Sequence, residues 1–556
     1  MQYYINQIAE YFHQYGGTHV VICPGSRNAP LTLAFARHPS LNCISIIDER
    51  SAAYIALGMA LSLKKPVAII CTSGTATLNL YPALAEAYYA DVPIVAITAD
   101  RPPELIDQWD GQAIRQRNVF SNHVNVSFQI PDEWNEVSLK KFNYGLNHAL
   151  SVCIKEKTTV HLNVPLREPL YPKDANPFEY SAAKHEIDIM KPTNNKEWMD
   201  LFNTYNQSER VLFIAGAGIC EPETQGLIRK IAGEKNLVLL TDIVSGYHND
   251  GNIQNYDLIL NSQQQKLLES LKPDLIITIG KSVVSKSLKT FLRNHKPNLH
   301  WHISDTGVAG DPFQTNPIVL RYQINDFLNE IILKSARENN QYYNTWKASE
   351  EFVKNKIQLF MQSSGFSELK VAKTIFDALP NNVVLHLANS MPVRYASMLG
   401  LDKPIEVFGN RGTSGIDGCT STAVGASLVS EKINVLITGD VAFLYDVNAF
   451  LHNNTYSNLR VIVLNNGGGG IFRVIDGPSS QPELETFFET RHNFTCRNIA
   501  AQYNLDYALA INFKELTEHL STFFVQAEKA KILEVAIDGY TSAAAYSEFK
   551  KQIKTN

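Results

Sequence analysis

No run of roughly eighteen apolar residues occurs in the 556-residue chain, so no segment reads as a membrane span. There is no CxxC and no HExxH, which removes the spacings that announce zinc most simply. Cysteine is sparse: seven (23, 43, 71, 153, 220, 419 and 496), odd in number, widely spaced and mostly inside apolar segments. They read as buried thiols of a reducing cytoplasm, not as a disulfide framework. Basic excess is absent too, because 50 Lys and Arg stand against 55 Asp and Glu for a net charge of -5. Nucleic acid needs a basic surface and is not expected as a partner. The opening MQYYINQIAEYFHQYGG lacks a basic start and a long apolar stretch, so it predicts an amphipathic first helix and not a signal peptide. The expectation is a cytoplasmic protein without a membrane partner.

What is present is a soluble globular composition, 45% hydrophobic and 19% charged, at a length that suggests about three domains. Short β-branched runs alternate with helical patterns: HVVIC, CISII, VAIIC and PIVAIT, then VLFIAG, LVLLT and LIITIG, then VVLHLA, IEVFG, NVLIT and RVIVLN. That alternation predicts an α/β chain of three doubly wound domains with mainly parallel sheets. Polar stretches at about 170–197 and, more weakly, 335–365 are taken as joints, giving domains 1–180, 195–335 and 360–556.

Ligands of open parallel sheets sit beyond the carboxyl ends of the strands. In the first domain those ends carry Ser26 and Arg27, then Asp48, Glu49 and Arg50, then Thr72 to Thr75, then Asp100 and Arg101. In the third they carry Asn389 and Ser390, Asn410 and Arg411, Gly439 and Asp440, and finally LNNGGGGIF at 464–472. The middle domain offers less. Its VLFIAGAGICEP has two glycines of a dinucleotide fingerprint but Glu221 where the third belongs, and GKS at 280–282 lacks the upstream glycine of a P-loop.

An ordered glycine run implies left-handed backbone or a close approach that leaves no room for side chains. Asp440 follows a strand directly, and Asn466 follows the next strand, 26 residues later, so both reach one sheet edge. A carboxylate, an amide oxygen and a glycine carbonyl form a hard oxygen set suited to Mg²⁺. The bare N–H groups then suit a diphosphate. The other reading is a glycine-rich strand-to-helix turn with Asp440 as a helix cap.

The conjunction of GD, NN and four glycines in this order resembles the diphosphate and metal motif of thiamine diphosphate enzymes. IIDERSAAYIALGMA, with Glu49 at a strand end, resembles the segment that activates the aminopyrimidine in that superfamily. Alone, a glutamate in a first helical turn only complements the helix dipole. The strand ends are rich in arginine (27, 101, 394 and 411), and guanidinium forks match carboxylates. Together PGSRNAPLTLA, DERSAAYIALGMA, TSGTATLNLYPAL, TADRPPELID, GQAIRQ and NRGTSGIDG resemble the 2-succinyl-5-enolpyruvyl-6-hydroxy-3-cyclohexene-1-carboxylate (SEPHCHC) synthase family of menaquinone biosynthesis.

The resemblance implies a transferase that decarboxylates 2-oxoglutarate and adds the succinyl-semialdehyde carbanion to isochorismate, both substrates being dicarboxylates. It implies thiamine diphosphate with Mg²⁺ or Mn²⁺, bound by Glu49, Ser390, Ile416, Gly439, Asp440, Asn466, Gly468, Ile471 and Phe472, with Asp440, Asn466 and Gly468 on the metal. Glu49, Arg394 and Arg411 would be catalytic. Ser26, Arg27, Arg101, Gln112, Lys286, Arg394 and Arg411 would hold substrate. In the same terms, 1–180 is the aminopyrimidine-binding domain, 195–335 the central one and 360–556 the diphosphate and metal domain. Active sites shared between chains imply a homodimer or homotetramer. Ser287 and Gly111 depart from the family pattern, where arginine and asparagine are usual. Three readings stay open: another thiamine diphosphate carboligase or decarboxylase using a different 2-oxo acid, a nucleotide-binding oxidoreductase built on VLFIAGAG, and a relative without catalysis. The segment after the glycines, RVIDGPSSQPELETFFETRHNF, is expected to act as a lid.

Overall fold

The computed structural model describes residues 2–554 except 172–177, 183, 185–194, 219–220, 235–236, 248–250, 262–263, 336–339, 402 and 455. Cys220 and most of the 170–197 joint lie outside the described residues.

Three wholly parallel sheets organise the chain. The first holds His19–Ile22 (β1), Asn42–Ser45 (β2), Val67–Cys71 (β3), Ile94–Asp100 (β4), Val126–Gln129 (β5) and Val160–Pro165 (β6) in the order β2-β1-β3-β4-β6-β5. The second holds Val211–Ala215 (β7), Val238–Thr241 (β8), Leu275–Ile279 (β9), Leu299–Ile303 (β10) and Ile318–Leu320 (β11) in the order β11-β10-β9-β7-β8. The third holds Val384–Leu387 (β12), Glu406–Phe408 (β13), Asn434–Gly439 (β14), Leu459–Asn465 (β15), Asp506–Ala510 (β16) and Lys531–Ala536 (β17), ordered β13-β12-β14-β15-β17-β16. Strand for strand, the first and third sheets share one wiring. In both, the strand order reverses after the first strand, and ligands of such sheets bind at that reversal.

The central strands are buried along their full length, as helices on both faces require: β3, β4, β7 and β9 expose no residue to solvent. The first and third domains are joined by two small-residue helices, Glu49–Leu63 and Cys419–Ser427. Their backbones touch: a Cβ on Gly58 would stand 1.9 Å from the Thr422 carbonyl oxygen, and one on Gly425 2.0 Å from that of Ile55. Most of the charged stretch at 335–365 is regular structure. From Asn340 to Ser363 it is one helix, whose Tyr342, Trp346, Val353, Ile357 and Phe360 enter the core shared by the middle and third domains. Apolar residues recurring at helical spacing outweigh its surface charge.

The middle sheet reverses between β7 and β9, and there its glycines serve the protein itself. Ala217 N–H donates to Ser282 O, and Lys281 N–H to Ala217 O, both at 2.8 Å. A Cβ on Gly216 would lie 2.4 Å from Lys281 O, and one on Gly280 (φ 72°) 2.7 Å from Gly216 O. Two loops close the crevice that a dinucleotide would need.

Candidate active site

Strands β14 and β15 pair in register up to Gly439 and Leu464, so Asp440 and Asn466 leave neighbouring strands at one edge. The Asp440 carboxylate is buried, with Oδ2 accepting from Gly467 N–H at 2.8 Å and Gly468 N–H at 2.9 Å, and Oδ1 from Val441 N–H at 2.7 Å. The same Gly468 N–H lies 3.1 Å from Asn466 Oδ1. A carboxylate oxygen and an amide oxygen therefore converge on one N–H, and the three residues expected at a metal stand together. Burial raises the Asp440 pKa, opposed by the Val441 N–H, by His492 and by the two glycine N–H groups.

The run from Gly467 to Gly470 admits the chain's own next segment. Gly469 N–H donates to Glu489 O at 2.7 Å, His492 N–H to Gly467 O at 3.0 Å, and a Cβ on Gly468 would stand 2.8 Å from Glu489 O. His492 Nε2 lies 3.3 Å from Asp440 Oδ2. The expected lid thus begins as packing against the glycines, with Arg473 bridging Glu485 and Glu489, while Phe487 is exposed. At Gly439, by contrast, an added Cβ would meet nothing within 4 Å. Behind Asn466 stands Glu368, which no sequence motif indicates. Its buried carboxylate accepts from Asn466 Nδ2 and, at 2.9 Å, from Tyr395 OH. It holds the amide so that Oδ1 faces the glycine edge.

Glu49 opens its helix immediately after Asp48, whose Oδ1 caps the helix through Arg50 and Ser51 N–H and whose Oδ2 accepts from Asn448 Nδ2 at 2.7 Å. Arg50 donates to Tyr445 O and lies over the Tyr445 ring. Both neighbours of Glu49 are thus pinned to the third domain. Among the described residues the Glu49 side chain has no hydrogen-bond or ion-pair partner, and its charge helps to raise the pKa of Cys23, just past β1, and of Cys71, the last residue of β3.

Of the first domain's substrate candidates, Ser26 is exposed, whereas Arg27 is buried and donates to Leu166 O at 3.1 Å and Glu168 Oε1 at 3.4 Å. Arg101 donates to Gly111 O at 2.7 Å and lies 3.2 Å from Asp110 Oδ2, holding the loop that bears Gln112 in left-handed backbone (φ 57°). In the third domain Ser390 sits at the turn from β12 to the Met391–Leu399 helix with φ 76°, a conformation that a side chain tolerates only where its surroundings impose it. Arg394 donates to Ser390 O, and Arg411 Nη1 to Asn389 Oδ1 at 2.7 Å. Glu86 of the first domain fixes the loop after Arg411, accepting from Gly412 N–H at 2.7 Å and Thr413 N–H at 2.6 Å. Burial lowers the pKa of Arg394 and of Arg411, as for side chains that line a cleft. Ile416, Ile471 and Phe472 are half-buried around these turns, and Lys286 is exposed at the start of its helix. Among the described residues, no hydrogen bond or ion pair joins Ser26, Arg27, Arg101 or Gln112 to Arg394 or Arg411.

Residues 4–126 match the family described as thiamine pyrophosphate enzyme, N-terminal TPP binding domain, and residues 180–387 match that described as middle domain of thiamine pyrophosphate. The chain is 40% identical over 557 aligned positions to the 2-succinyl-5-enolpyruvyl-6-hydroxy-3-cyclohexene-1-carboxylate synthase of Cytophaga hutchinsonii, with 99% of each chain covered. The chain belongs to the SEPHCHC synthase family. Proteins of that name in Flavobacterium johnsoniae and Porphyromonas gingivalis are 38% and 36% identical, over 96% and 98% of this chain and 96% of each of theirs.

The residues of this SEPHCHC synthase family member fit the cofactor. Asp440, Asn466 and the Gly468 carbonyl supply only hard oxygens, as a phosphate-bound divalent cation prefers. Among the described residues no group of three or more His, Cys, Asp or Glu offers an alternative metal site. Open space at Gly439 and an unengaged Glu49 leave room at both ends of such a molecule.

Proposed function

We propose that the chain catalyses the SEPHCHC synthase reaction: 2-oxoglutarate loses CO₂ and its succinyl-semialdehyde unit is transferred to isochorismate by conjugate addition, a step of menaquinone biosynthesis. The observation that supports it best is the convergence of Asp440 Oδ2 and Asn466 Oδ1 on the Gly468 N–H, in a chain aligned end to end with relatives of that name. When bound, thiamine diphosphate supplies the electron sink that allows a 2-oxo acid to lose CO₂. Asp440, Asn466 and the Gly468 carbonyl hold its metal, Mg²⁺ or Mn²⁺, with Gly439, Ser390, Ile416, Ile471 and Phe472 around it. Glu49 takes and returns a proton at the aminopyrimidine end. Arg394 and Arg411 orient carboxylates near the reacting carbon, and Ser26, Arg27, Arg101, Gln112 and Lys286 complete the grip on the two dicarboxylates.

Glu49 and the glycine run meet across two chains of a homodimer, or of a dimer of dimers. Exposed apolar side chains support this reading: Ile47, two residues before Glu49, at 57%, Tyr445, beneath Arg50, at 53%, and Trp109, in the loop after Arg101, at 102% exposure. No described helix is long and apolar enough to cross a membrane, and the cysteines that are described are free thiols, as expected in the cytoplasm.

The test combines purified protein, thiamine diphosphate, Mg²⁺ and 2-oxoglutarate with and without isochorismate, and follows product mass. An adduct that needs every component is expected. Release of CO₂ without an adduct would refute the acceptor, and silence from folded, cofactor-loaded protein would refute the reaction.

A further inference from the structure

The turn from β13 to the Cys419–Ser427 helix carries both Arg411 and Ile416. Asn389 Nδ2 holds its two shoulders, donating to Asn410 O at 2.8 Å and Gly415 O at 2.6 Å, and Tyr54 OH donates to Asp417 Oδ2 at 2.9 Å. Its middle, Gly412 and Thr413, is held from the first domain by Glu86. Glu86 is the one charged residue of the Tyr81–Ala90 helix and is 1% exposed. Its Oε1 accepts from Gly412 N–H at 2.7 Å, and its Oε2 from Thr413 N–H at 2.6 Å and Thr413 Oγ at 2.8 Å. A Cβ on Gly412 would stand 2.3 Å from Glu86 O, so helix and turn lie backbone to backbone.

A buried carboxylate is tolerated only where hydrogen bonds satisfy it. All three partners here are donors, so the position calls for a side chain that only accepts, with two oxygens at this reach. The residue before those donors is Arg411, whose Nη1 donates to Asn389 Oδ1 at 2.7 Å and whose carbonyl accepts from Ser282 Oγ at 3.1 Å. Ser282 pins its backbone on one side and Glu86 on the other, which gives the guanidinium a fixed base. Burial lowers the Arg411 pKa, and the charges of Asp242 and then Glu86 oppose that. Glu86 therefore serves the arginine twice, through the backbone and through its charge.

We propose that Glu86 is a positioning residue: through Gly412 and Thr413 the first domain sets where Arg411 of the third domain meets a substrate carboxylate. The proposal rests on the reaction proposed above and adds to it a residue that acts through another, two positions past TSGTATLNLYPAL. Ile416 is placed separately, by Asn389 and Tyr54 at its neighbours Gly415 and Asp417. Substrate grip and cofactor binding are thus separable within one turn.

The test compares wild type with Glu86→Gln and Glu86→Asp. Glutamine keeps the volume but turns an NH2 group toward one of the two backbone N–H groups, whereas aspartate keeps both acceptor oxygens one methylene short. Glu86→Gln is expected to lower kcat/KM about a hundredfold, as a displacement of about 1 Å does, while calorimetric titration with thiamine diphosphate at fixed Mn²⁺ stays as in wild type. Glu86→Asp is expected to keep more activity than Glu86→Gln. Packing alone predicts the reverse order, because aspartate leaves a gap. That reverse order, or a loss of cofactor affinity as large as the loss in kcat/KM, would overturn the proposal. If Glu86→Gln does not fold, Thr413→Val removes the hydroxyl donor alone and should lower kcat/KM about tenfold; wild-type kcat/KM in that variant would overturn it equally. If wild type shows no turnover, the proposed reaction fails by itself, and the crystal structure of Glu86→Gln, or of Thr413→Val in its stead, decides: an Arg411 side chain displaced from Asn389 supports the role of Glu86, and one left in place counts against it.

Discussion

Replacing Glu368 by Gln tests whether a residue far from the glycine run in sequence sets the cofactor site. The carboxylate is 3% exposed and accepts two hydrogen bonds, from Asn466 Nδ2 and Tyr395 OH, while its own N–H donates to Ser542 Oγ. Glutamine keeps the volume but offers only one acceptor oxygen: the Tyr395 hydroxyl can turn to accept from the new NH2, whereas Asn466 Nδ2, a donor only, is left without a partner when that oxygen serves Tyr395. A buried donor left unsatisfied costs about 1–3 kcal/mol, and the thermal midpoint should fall accordingly. If Asn466 loses its partner, the amide is free to turn Nδ2 toward the metal position. Removing a hydrogen-bond partner of a metal ligand typically lowers metal affinity about 10–100-fold. The assay is calorimetric titration of the ligand-free protein with thiamine diphosphate at fixed Mn²⁺, repeated for Asn466→Ala and for the double variant. Glu368→Gln should weaken binding strongly and add little to Asn466→Ala, since both act through one amide. Wild-type affinity in Glu368→Gln, or full additivity in the double variant, would refute the reasoning. Burial raises the Glu368 pKa, so acidification protonates it ahead of an ordinary glutamate and should also weaken binding.

Three further predictions concern other parts of the molecule. Glu49→Gln should abolish turnover while leaving the melting curve unchanged; an active variant would remove Glu49 from the mechanism. Gly58→Ala places a methyl 1.9 Å from Thr422 O and should destabilise by about 1–3 kcal/mol or more in a urea melt, as overpacking does. Burial pushes the Asp446 pKa up from 3.8 to about 7. Between those values the native state holds a proton that the unfolded state has released, so this contribution to stability falls as pH rises through that window. Asp446→Asn keeps both contacts with Ser421, whose hydroxyl turns to accept, and should flatten the decline in urea midpoint between pH 5 and pH 8.

Each of the eleven apolar runs coincides with a strand, whereas β5, β6, β10, β11, β16 and β17 lie outside them. Several carry polar residues inward that only partners distant in sequence make tolerable. In β6, His161 and Asn163 both meet Thr98 Oγ1, at 2.8 and 2.7 Å. In β10, His300 and His302 share Thr278, each at 2.9 Å. Glu534 of β17, 2% exposed, accepts from Asn465, Thr495, Tyr507 and Cys496 N–H. A period-2 pattern cannot register a buried polar group whose partner lies on another strand. The same limit governs the site. That Asp440, Asn466 and Gly468 come together is readable because two adjacent strands deliver them in order, whereas Glu368 lies 98 residues from the amide it holds.

The closed crevice between Gly216 and Gly280 changes what natural variation in the middle domain is free to do. That sheet contributes a bracket to the site, Ser282 in the loop after β9 holding the Arg411 carbonyl. Its interior can drift so long as the bracket at that one corner keeps its shape. Homologous middle domains should therefore diverge quickly in their cores yet stay clamped at that corner.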